Sequence, residues 1–308
     1  MLRRLQLKTI LSSLVILTAA SAFVSQAGYS GNPVPAGRSE VLATGRIDSY
    51  PDTLTAGVSV WDSLKADKGP EGLSREVLKG STNDLSVLDI RAYTLEAGQS
   101  VHGDRASTSE IAATETATTV TAGPPSPTEP DILVIVKGGS LTVSSNKSSK
   151  LLQPGGVALF AAGEAPGFAN TGTTPVTWYV FHFKSRSAEN RERARQAGAS
   201  FLIDWKEMVM KPTAKGESRQ IFDRPVAWLG KIDLHATTLN AGEVSHAPHI
   251  HRAEEIILMR SGHVQMYIGG QYHKATAGDL VFLSSGVPHA LENKSSERCE
   301  YFALQWMP

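Results

Sequence analysis

The stretch GEVSHAPHIHRAEEIILMRSG, residues 242–262, places two histidines two positions apart and a glutamate four positions after the second. If the part from His249 onward is a β-strand, then His249, His251 and Glu255 point to the same face, because the side chains of a strand alternate between its two faces. Imidazole and carboxylate groups are common ligands of transition metals in proteins. The stretch therefore predicts a metal site on a β-strand.

The residues around these ligands indicate which face of the strand lies inside the fold. Ile257 and Met259 have the same parity as Glu255, so we expect them to form apolar walls beside the ligands. Arg252 and Glu254 have the opposite parity and are expected to face outward. The pattern is typical of a cavity with a polar floor and apolar walls.

A second segment, GDLVFLSSGVPHALEN at residues 278–293, supplies a further candidate ligand. An apolar strand reaches a Ser-Ser-Gly turn, and His289 begins the returning strand. A barrel would bring His289 against the ligands of the first stretch. Two or three imidazoles and a carboxylate suit a divalent transition metal such as manganese, iron, zinc or nickel, and leave coordination positions open for water or substrate.

The chain contains one structural unit twice. A constant offset of 144 residues relates identical residues of the two halves: Trp61 and Trp205, Arg75 and Arg219, Asp89 and Asp233, Thr94 and Thr238, Leu95 and Leu239, Gly98 and Gly242, and His102 and His246. Chance does not maintain a single offset over so many identities. We infer two tandem copies of the same fold.

Short β-rich runs broken by glycine and asparagine predict that both copies are all-β, as antiparallel barrels or sandwiches. The joint between them lacks proline, has charges at helical spacing and is expected to be a linking helix. The Thr-, Ala- and Pro-rich insertion at 106–130 is predicted to be a solvated loop, with a lid as the alternative. The predicted organisation is a signal peptide at 1–27, an extended arm at 28–50, a first domain at 51–185, a helical linker at 186–199 and a second domain at 200–308.

The first 27 residues have the features of an export signal. Arg3, Arg4 and Lys8 precede an apolar run, and small residues suitable for cleavage follow at 25–27. The segment RRLQLK also loosely resembles a twin-arginine signal, so both export routes stay open. We expect a periplasmic or secreted protein with no membrane association after cleavage.

Charge and cysteine content narrow the functional classes. Lys plus Arg and Asp plus Glu number 30 each, which argues against a nucleic-acid partner. Cys299 is the single cysteine, so a disulfide within the chain is impossible, and we expect it to be a small buried apolar residue.

The two segments with the candidate ligands closely resemble the two motifs of the cupin family. The order is Gly242, His249, His251, Glu255 and Gly262, then Gly278, Gly286, His289 and Asn293, with Ser284 where a proline is usual. The resemblance implies a two-domain cupin, or bicupin, built from two antiparallel jelly-roll barrels. It implies one divalent metal, with manganese expected first, held by His249, His251, Glu255 and His289.

The first copy lacks most of these ligands. At the offset of 144, Arg105 and Ser107 replace the histidines of the HxH pair. At an offset of 124, Asp131 stands opposite Glu255 and Gly138 opposite Gly262, and at 123 Pro166 replaces His289. We therefore predict a first barrel that has kept its fold and lost its site, and that acts as a scaffold or an interface.

The resemblance implies an exported metal-dependent enzyme, such as a lyase, hydrolase, isomerase or dioxygenase, acting on a small oxygen-rich substrate. Among bicupins the chain is loosely similar to ureidoglycine aminohydrolases, while oxalate decarboxylases and quercetin dioxygenases share the layout. The alternative is a metal-dependent small-molecule binding protein without catalysis. The candidates for proton transfer are Tyr267, Tyr272, Glu243 and His246, and a homo-oligomer is left open.

Overall fold

The computed structural model describes residues 50–69, 72–102, 129–145, 148–198 and 200–308. The predicted signal peptide, the arm up to residue 49 and residues 103–128, which include most of the insertion, lie outside these ranges. So do Arg105 and Ser107. Among the described residues, no helix is long and apolar enough to cross a membrane.

The described residues form 21 strands and one α-helix, and the prediction of an all-β fold is confirmed. The strands of the first copy are β1 (Gly57–Ser59), β2 (Asp67–Gly69), β3 (Gly72–Gly80), β4 (Leu85–Leu95), β5 (Ser100–His102), β6 (Asp131–Gly138), β7 (Leu141–Ser144), β8 (Ser149–Leu152), β9 (Val157–Phe160), β10 (Gly167–Ala169) and β11 (Val176–Ser185).

The strands of the second copy follow the same order. They are β12 (Phe201–Ile203), β13 (Lys211–Thr213), β14 (Gly216–Arg224), β15 (Lys231–Leu239), β16 (Glu254–Ser261), β17 (His263–Ile268), β18 (Gln271–Thr276), β19 (Leu280–Leu283), β20 (His289–Glu292) and β21 (Cys299–Met307). Short 3₁₀ turns lie at Trp61–Ser63 and Trp205–Glu207, which are equivalent in the repeat.

The helix α1 (Arg191–Ala197) lies inside the predicted linker at 186–199 and is shorter than that range. The side chain of Asn190 caps it by accepting a hydrogen bond of 2.9 Å from the backbone N–H of Arg193. Gly198 ends it with φ at 112°, a conformation that favours glycine. The linker therefore contains a capped helix of about two turns.

Each copy contributes the edge strand of the other copy's large sheet. β1 pairs with β19 through Gly57 and Phe282, and β12 pairs with β9 through Phe201 and Leu159. The two seven-stranded sheets have the orders β1-β19-β16-β21-β15-β14-β13 and β12-β9-β6-β11-β4-β3-β2. Smaller sheets, β5-β10-β7-β8 and β18-β17-β20, complete the barrels. The exchange covers one sheet edge in each barrel.

The apolar residues of each large sheet divide by parity between a barrel interior and the interface of the two barrels. In β16, Ile257 and Met259 belong to the interior of the second barrel, as predicted, while Ile256 and Leu258 pack in the shared interface. Cys299 is fully buried in the same interior, also as predicted. The largest apolar cluster of the described residues lies between the barrels, which therefore share one core.

The register of β6 corrects the alignment of the two copies. Val136 lies opposite Trp178 across the ladder and Met259 lies opposite Tyr301, with an irregularity next to each pair. The matching offset is 123, which places Ile132, not Asp131, at the position of Glu255. The glycine of the following turn with positive φ is likewise Gly139 rather than Gly138, matching Gly262.

The prediction that Asp131 occupies the place of Glu255 is therefore wrong. A shift of one residue along a strand exchanges its two faces, so the sequence alignment put Asp131 on the wrong side of the sheet. Asp131 is instead equivalent to Glu254, and both carboxylates lie in the interface between the barrels. An apolar residue, Ile132, stands where the second barrel has its glutamate.

Glu254 joins the barrels through hydrogen bonds. It faces away from the interior, as predicted, but its side chain is 0% exposed. It accepts hydrogen bonds from Thr82 Oγ1 at 2.5 Å, from the backbone N–H of Asn83 at 3.0 Å and from Trp306 Nε1 at 3.0 Å. Asp131 of the first copy makes the corresponding contact with the second copy. It accepts hydrogen bonds from the backbone N–H of Trp228 at 3.2 Å and, within its own copy, from that of Ala162 at 3.0 Å.

On each side of the interface, a tryptophan packs between two cationic side chains. Trp61 lies between Arg75 and Lys137, whose charged groups are 5.0 and 4.4 Å from its ring centroid. Its ring covers Gly278 of the second copy, where an added Cβ would lie 3.0 Å from the indole. Trp205 repeats the arrangement over Gly155. Cation–π contacts of this kind are each worth about 0.5–1 kcal/mol at exposed sites.

The interior of the first barrel is filled by aromatic side chains. Trp178, which is 1% exposed, packs against Tyr93 and Phe168 with ring centroids 5.8 and 5.3 Å away. His182 lies opposite Ile132 in the ladder and is 4% exposed. Burial lowers the pKa of His182 to about 4, although the nearby Asp89 raises it.

We predict that Glu254→Ala lowers the free energy of unfolding by about 3 kcal/mol or more. The substitution leaves several buried donors without an acceptor, and each unsatisfied group costs about 1–3 kcal/mol. Urea denaturation against Glu297→Ala, a change at an exposed glutamate, measures the difference. Equal losses in the two variants would contradict the role of Glu254 in the interface.

We also predict that the stability contributed by neutral His182 is fully present above pH 6.5 and is lost as the pH falls to about 4. The unfolded chain binds this proton first, because the folded-state pKa is the lower one. The free energy of unfolding should fall by about 3 kcal/mol at most over this range. His182→Gln should flatten the dependence of the urea midpoint between pH 4 and 6.5, whereas His263→Gln should not. Parallel pH profiles for wild type and His182→Gln would count against this.

Candidate metal centre

The candidate centre lies at one end of the second barrel, where a loop crosses β20. The backbone N–H of His249 donates to the carbonyl of His289 at 3.1 Å, and the reverse bond is 3.0 Å long. Gly286 N donates to the carbonyl of His251 at 2.9 Å. These bonds fix the loop that carries both histidines of the HxH pair.

The prediction that one strand extends from His249 to Glu255 is wrong. β16 begins at Glu254, and His249 makes an isolated bridge to His289 instead. Pro248 has no N–H to contribute to a ladder at this point. The histidines reach the site because the loop folds onto β20, while Glu255 reaches it through the parity of the strand.

The four predicted ligands lie close together, and His246 joins them. His251, Glu255 and His289 form one group, and His246, His249 and His289 form another; in each, the possible ligand atoms lie within 4.8 Å of one another. His251 Nε2 is 3.3 Å and His289 Nε2 is 3.5 Å from Glu255 Oε2. These are the two such groups found among the described residues.

Backbone carbonyls orient the imidazoles. His289 Nδ1 lies 2.9 Å from the carbonyl of Val287, and His251 Nδ1 lies 2.8 Å from that of Ala253. With Nδ1 protonated and donating, Nε2 of each ring has a lone pair directed at the site. His289 Nε2 is buried and makes no well-aligned hydrogen bond within the described part of the chain. A bound metal ion would satisfy it, so the residues present fit a metal.

The carboxylate of Glu255 is charged in the folded protein. Burial acts to raise its pKa, but the polar side chains of His251, His289 and Gln305 beside it outweigh burial and lower the pKa to about 2. An anionic oxygen beside imidazole nitrogens is a donor set suited to a divalent transition metal.

The His/Glu cluster opens into a cavity of about 140 Å³. A ligand about the size of benzene fills a cavity of this volume. Polar groups of β15 and β21 and several apolar side chains line it together with the cluster. The lining residues are His235, Thr237, Ser245, His246, His249, Glu255, Ile257, Met266, Leu283, His289, Leu291, Tyr301, Ala303 and Gln305.

Sequence reasoning missed several of these polar groups. Thr237, Tyr301 and Gln305 lie on strands whose alternation was recognised, but a lone polar residue in a strand carries no ligand spacing that would mark it. The hydroxyl of Tyr301 donates to Ser245 Oγ at 3.1 Å. Burial raises the pKa of Tyr301 to about 12, so it acts as a donor.

Only one of the four proton-transfer candidates lines the cavity. His246 is among its lining residues, whereas Glu243, Tyr267 and Tyr272 are not. Tyr272 is 66% exposed and packs beside Tyr267 at 5.4 Å between ring centroids. The two tyrosines therefore belong to the outer surface of the barrel.

Comparison with known proteins identifies the class of fold. Residues 236–305 match the family model of the cupin domain. This range includes every candidate ligand of the second barrel and none of the first. The second barrel thus contains a cupin domain. Among curated proteins, none matches at a significant level.

Solved structures share the two-barrel fold at low sequence identity. The protein Ylba from E. coli is 13% identical, with a TM-score of 0.57, and 81% of this chain covers 89% of it. Oxalate decarboxylase from Lactobacillus farciminis, solved as a formate complex, is 12% identical, with a TM-score of 0.56 and coverages of 85% and 89%. Bacillus subtilis oxalate decarboxylase, described as having Mn(II) centres, is 13% identical, with a TM-score of 0.55 and coverages of 83% and 78%.

We predict that His289→Ala abolishes tight metal binding, because His289 belongs to both ligand groups. The affinity should fall by more than about 100-fold, since loss of even an outer partner of a ligand costs 10–100-fold. Metal content after dialysis, measured by mass spectrometry, reports the change. His263→Ala is the matched control, because His263 lies on the outer face of β17. Retention of one ion per chain in His289→Ala would disprove the assignment.

Proposed function

We propose that this protein is an exported, metal-dependent enzyme that acts on a small oxygen-rich substrate at the second barrel. The observation that carries the proposal is the cavity, which opens directly onto a buried carboxylate and a buried imidazole nitrogen that has no hydrogen-bond partner among the described residues. His251, Glu255 and His289 would hold the ion, and His249, the fourth predicted ligand, lies beside them. Manganese is the first candidate, and iron, zinc and nickel are the others.

The cavity restricts the substrate by size and charge. A three-ring flavonol is much larger than 140 Å³, whereas a short dicarboxylate or keto acid fits. Neither lysine nor arginine is among the lining residues. A negative charge on the substrate would therefore be balanced by the ion itself, and we propose a small carboxylate or carbonyl compound as the substrate class. The similarity to ureidoglycine aminohydrolases stays a prediction.

Each polar wall residue has a role that follows from its position. When bound, the metal supplies Lewis-acid stabilisation of negative charge that develops on a substrate oxygen. Gln305 and Thr237 would orient the polar end of the substrate through hydrogen bonds. Tyr301 can donate a hydrogen bond, because its raised pKa keeps the hydroxyl protonated at neutral pH. Ile257 and Leu283 exclude water from the reacting end. Lyase, hydrolase, isomerase and dioxygenase chemistry all remain compatible with this arrangement.

The first barrel serves as a scaffold in this proposal. Its interior is filled by Trp178, Tyr93 and Phe168, and its edge strand completes the sheet that contains β16. The proposal of export is supported by the N-terminal segment alone. Export by the twin-arginine route would allow the folded protein to bind its metal before export. Assembly into a homo-oligomer stays a prediction.

Purification followed by metal analysis and a turnover screen tests the proposal. We expect about one divalent ion per chain and sustained turnover of at least one small carboxylate or keto acid, with oxygen uptake followed in parallel. His251→Ala should remove the activity, and Tyr272→Phe, a change on the outer surface, should preserve it. Tight binding of a ligand without any product would instead favour the alternative, a metal-dependent binding protein.

A further inference from the structure

His246 lies with His249 and His289 in a cluster of three imidazoles at the mouth of the cavity. The ring centroid of His246 is 4.2 Å from that of His249 and 5.8 Å from that of His289. One nitrogen of each ring lies within 4.8 Å of the others. Resting on the proposed metal dependence, we propose that His246 is a metal ligand and that these three histidines form a second position for the ion.

The backbone holds His246 in place from both sides. Ser245 N donates to the carbonyl of Leu291 at 2.9 Å, and His249 pairs with His289 in both directions. Lys215 Nζ donates to the carbonyls of Val244 and Ser245 at 2.6 and 2.8 Å. The loop is thus attached to β20 before and after His246. These bonds fix the backbone from which the imidazole of His246 reaches the cavity.

The two positions cannot be occupied at once. Both use His289, whose Nδ1 is engaged with the carbonyl of Val287, so that only Nε2 is free to bind an ion. One nitrogen lone pair serves one metal. The centre therefore holds a single ion that occupies either the position with Glu255 or the position with His246.

The positions differ in chemistry and in exposure. The first contains Glu255 and His251 and is buried at the carboxylate, which is 5% exposed. The second has imidazoles alone and includes His249, which is exposed. Carboxylate-containing sites suit manganese, whereas all-imidazole sites suit zinc, copper and nickel. His246 therefore gives the centre an alternative geometry for imidazole-preferring ions, and affects which metal is retained.

The first copy shows why this position needs β20. His102 is the sequence counterpart of His246, but Pro166 stands where His289 would be. The ligand shared by the two positions is therefore missing from the sequence of the first copy.

The experiment compares Mn(II) and Zn(II) binding to metal-free protein by competition with a chelator. In His246→Ala we expect Zn(II) affinity to fall about 10-fold or more and Mn(II) affinity to change less than about 3-fold. In Glu255→Gln we expect the Mn(II) affinity to fall more than the Zn(II) affinity. His263→Ala should change neither affinity. The absorption spectrum of the Co(II)-loaded protein should change in His246→Ala, and added imidazole should restore it towards the wild-type spectrum.

The outcomes separate the two proposals. If His246→Ala leaves Zn(II) affinity and the Co(II) spectrum as in wild type, His246 is not a ligand, and the proposed function stands on the Glu255 position. If His246→Ala weakens both metals equally and imidazole restores nothing, its role is structural and the second position is disproved. If the wild-type protein binds neither metal tightly, the metal-dependent function itself fails.

Discussion

The exchange of edge strands between the two copies is the constraint on which the rest of the structure depends. β1 of the first copy lies on β19 of the second, and β12 returns the contact on β9. Neither large sheet is complete without the other copy, and unpaired edge groups favour association with other chains. The first barrel is thus needed by the second even though it has no complete ligand set.

The two barrels share a strand arrangement but differ in the side chains of their interiors. At equivalent ladder positions, Ile132 and His182 of the first barrel replace Glu255 and Gln305 of the second. Trp178 likewise replaces Tyr301 and fills the space that is open in the second barrel. The bulge between β6 and β11 matches the one between β16 and β21, so the side chains at these equivalent positions distinguish the two interiors.

The sequence predicted which candidate ligands lie close together better than it predicted the local structure around them. The repeat, the all-β fold and the closeness of His251, Glu255 and His289 followed from spacing, because ligand patterns survive changes in the backbone between them. The extent of β16 did not follow from spacing, because it depends on the hydrogen bonds between β20 and the loop that contains Pro248. The offset predicted for the segment after the insertion, 124, was wrong by one residue, and spacing alone could not detect this error. Because side chains alternate along a strand, a shift of one residue assigns each side chain to the wrong face.

The interface and the candidate centre meet at two consecutive residues. Glu254 faces the other barrel and accepts hydrogen bonds from Thr82 and Asn83, while Glu255 faces the cavity. Successive side chains of a strand point in opposite directions, so the bonds that fix Glu254 also fix the direction of Glu255. The centre takes all its candidate ligands from one barrel, yet the position of its only carboxylate is set by contact with the other. The first barrel, in which the described residues form no such ligand group, therefore contributes to the geometry of the site in the second barrel.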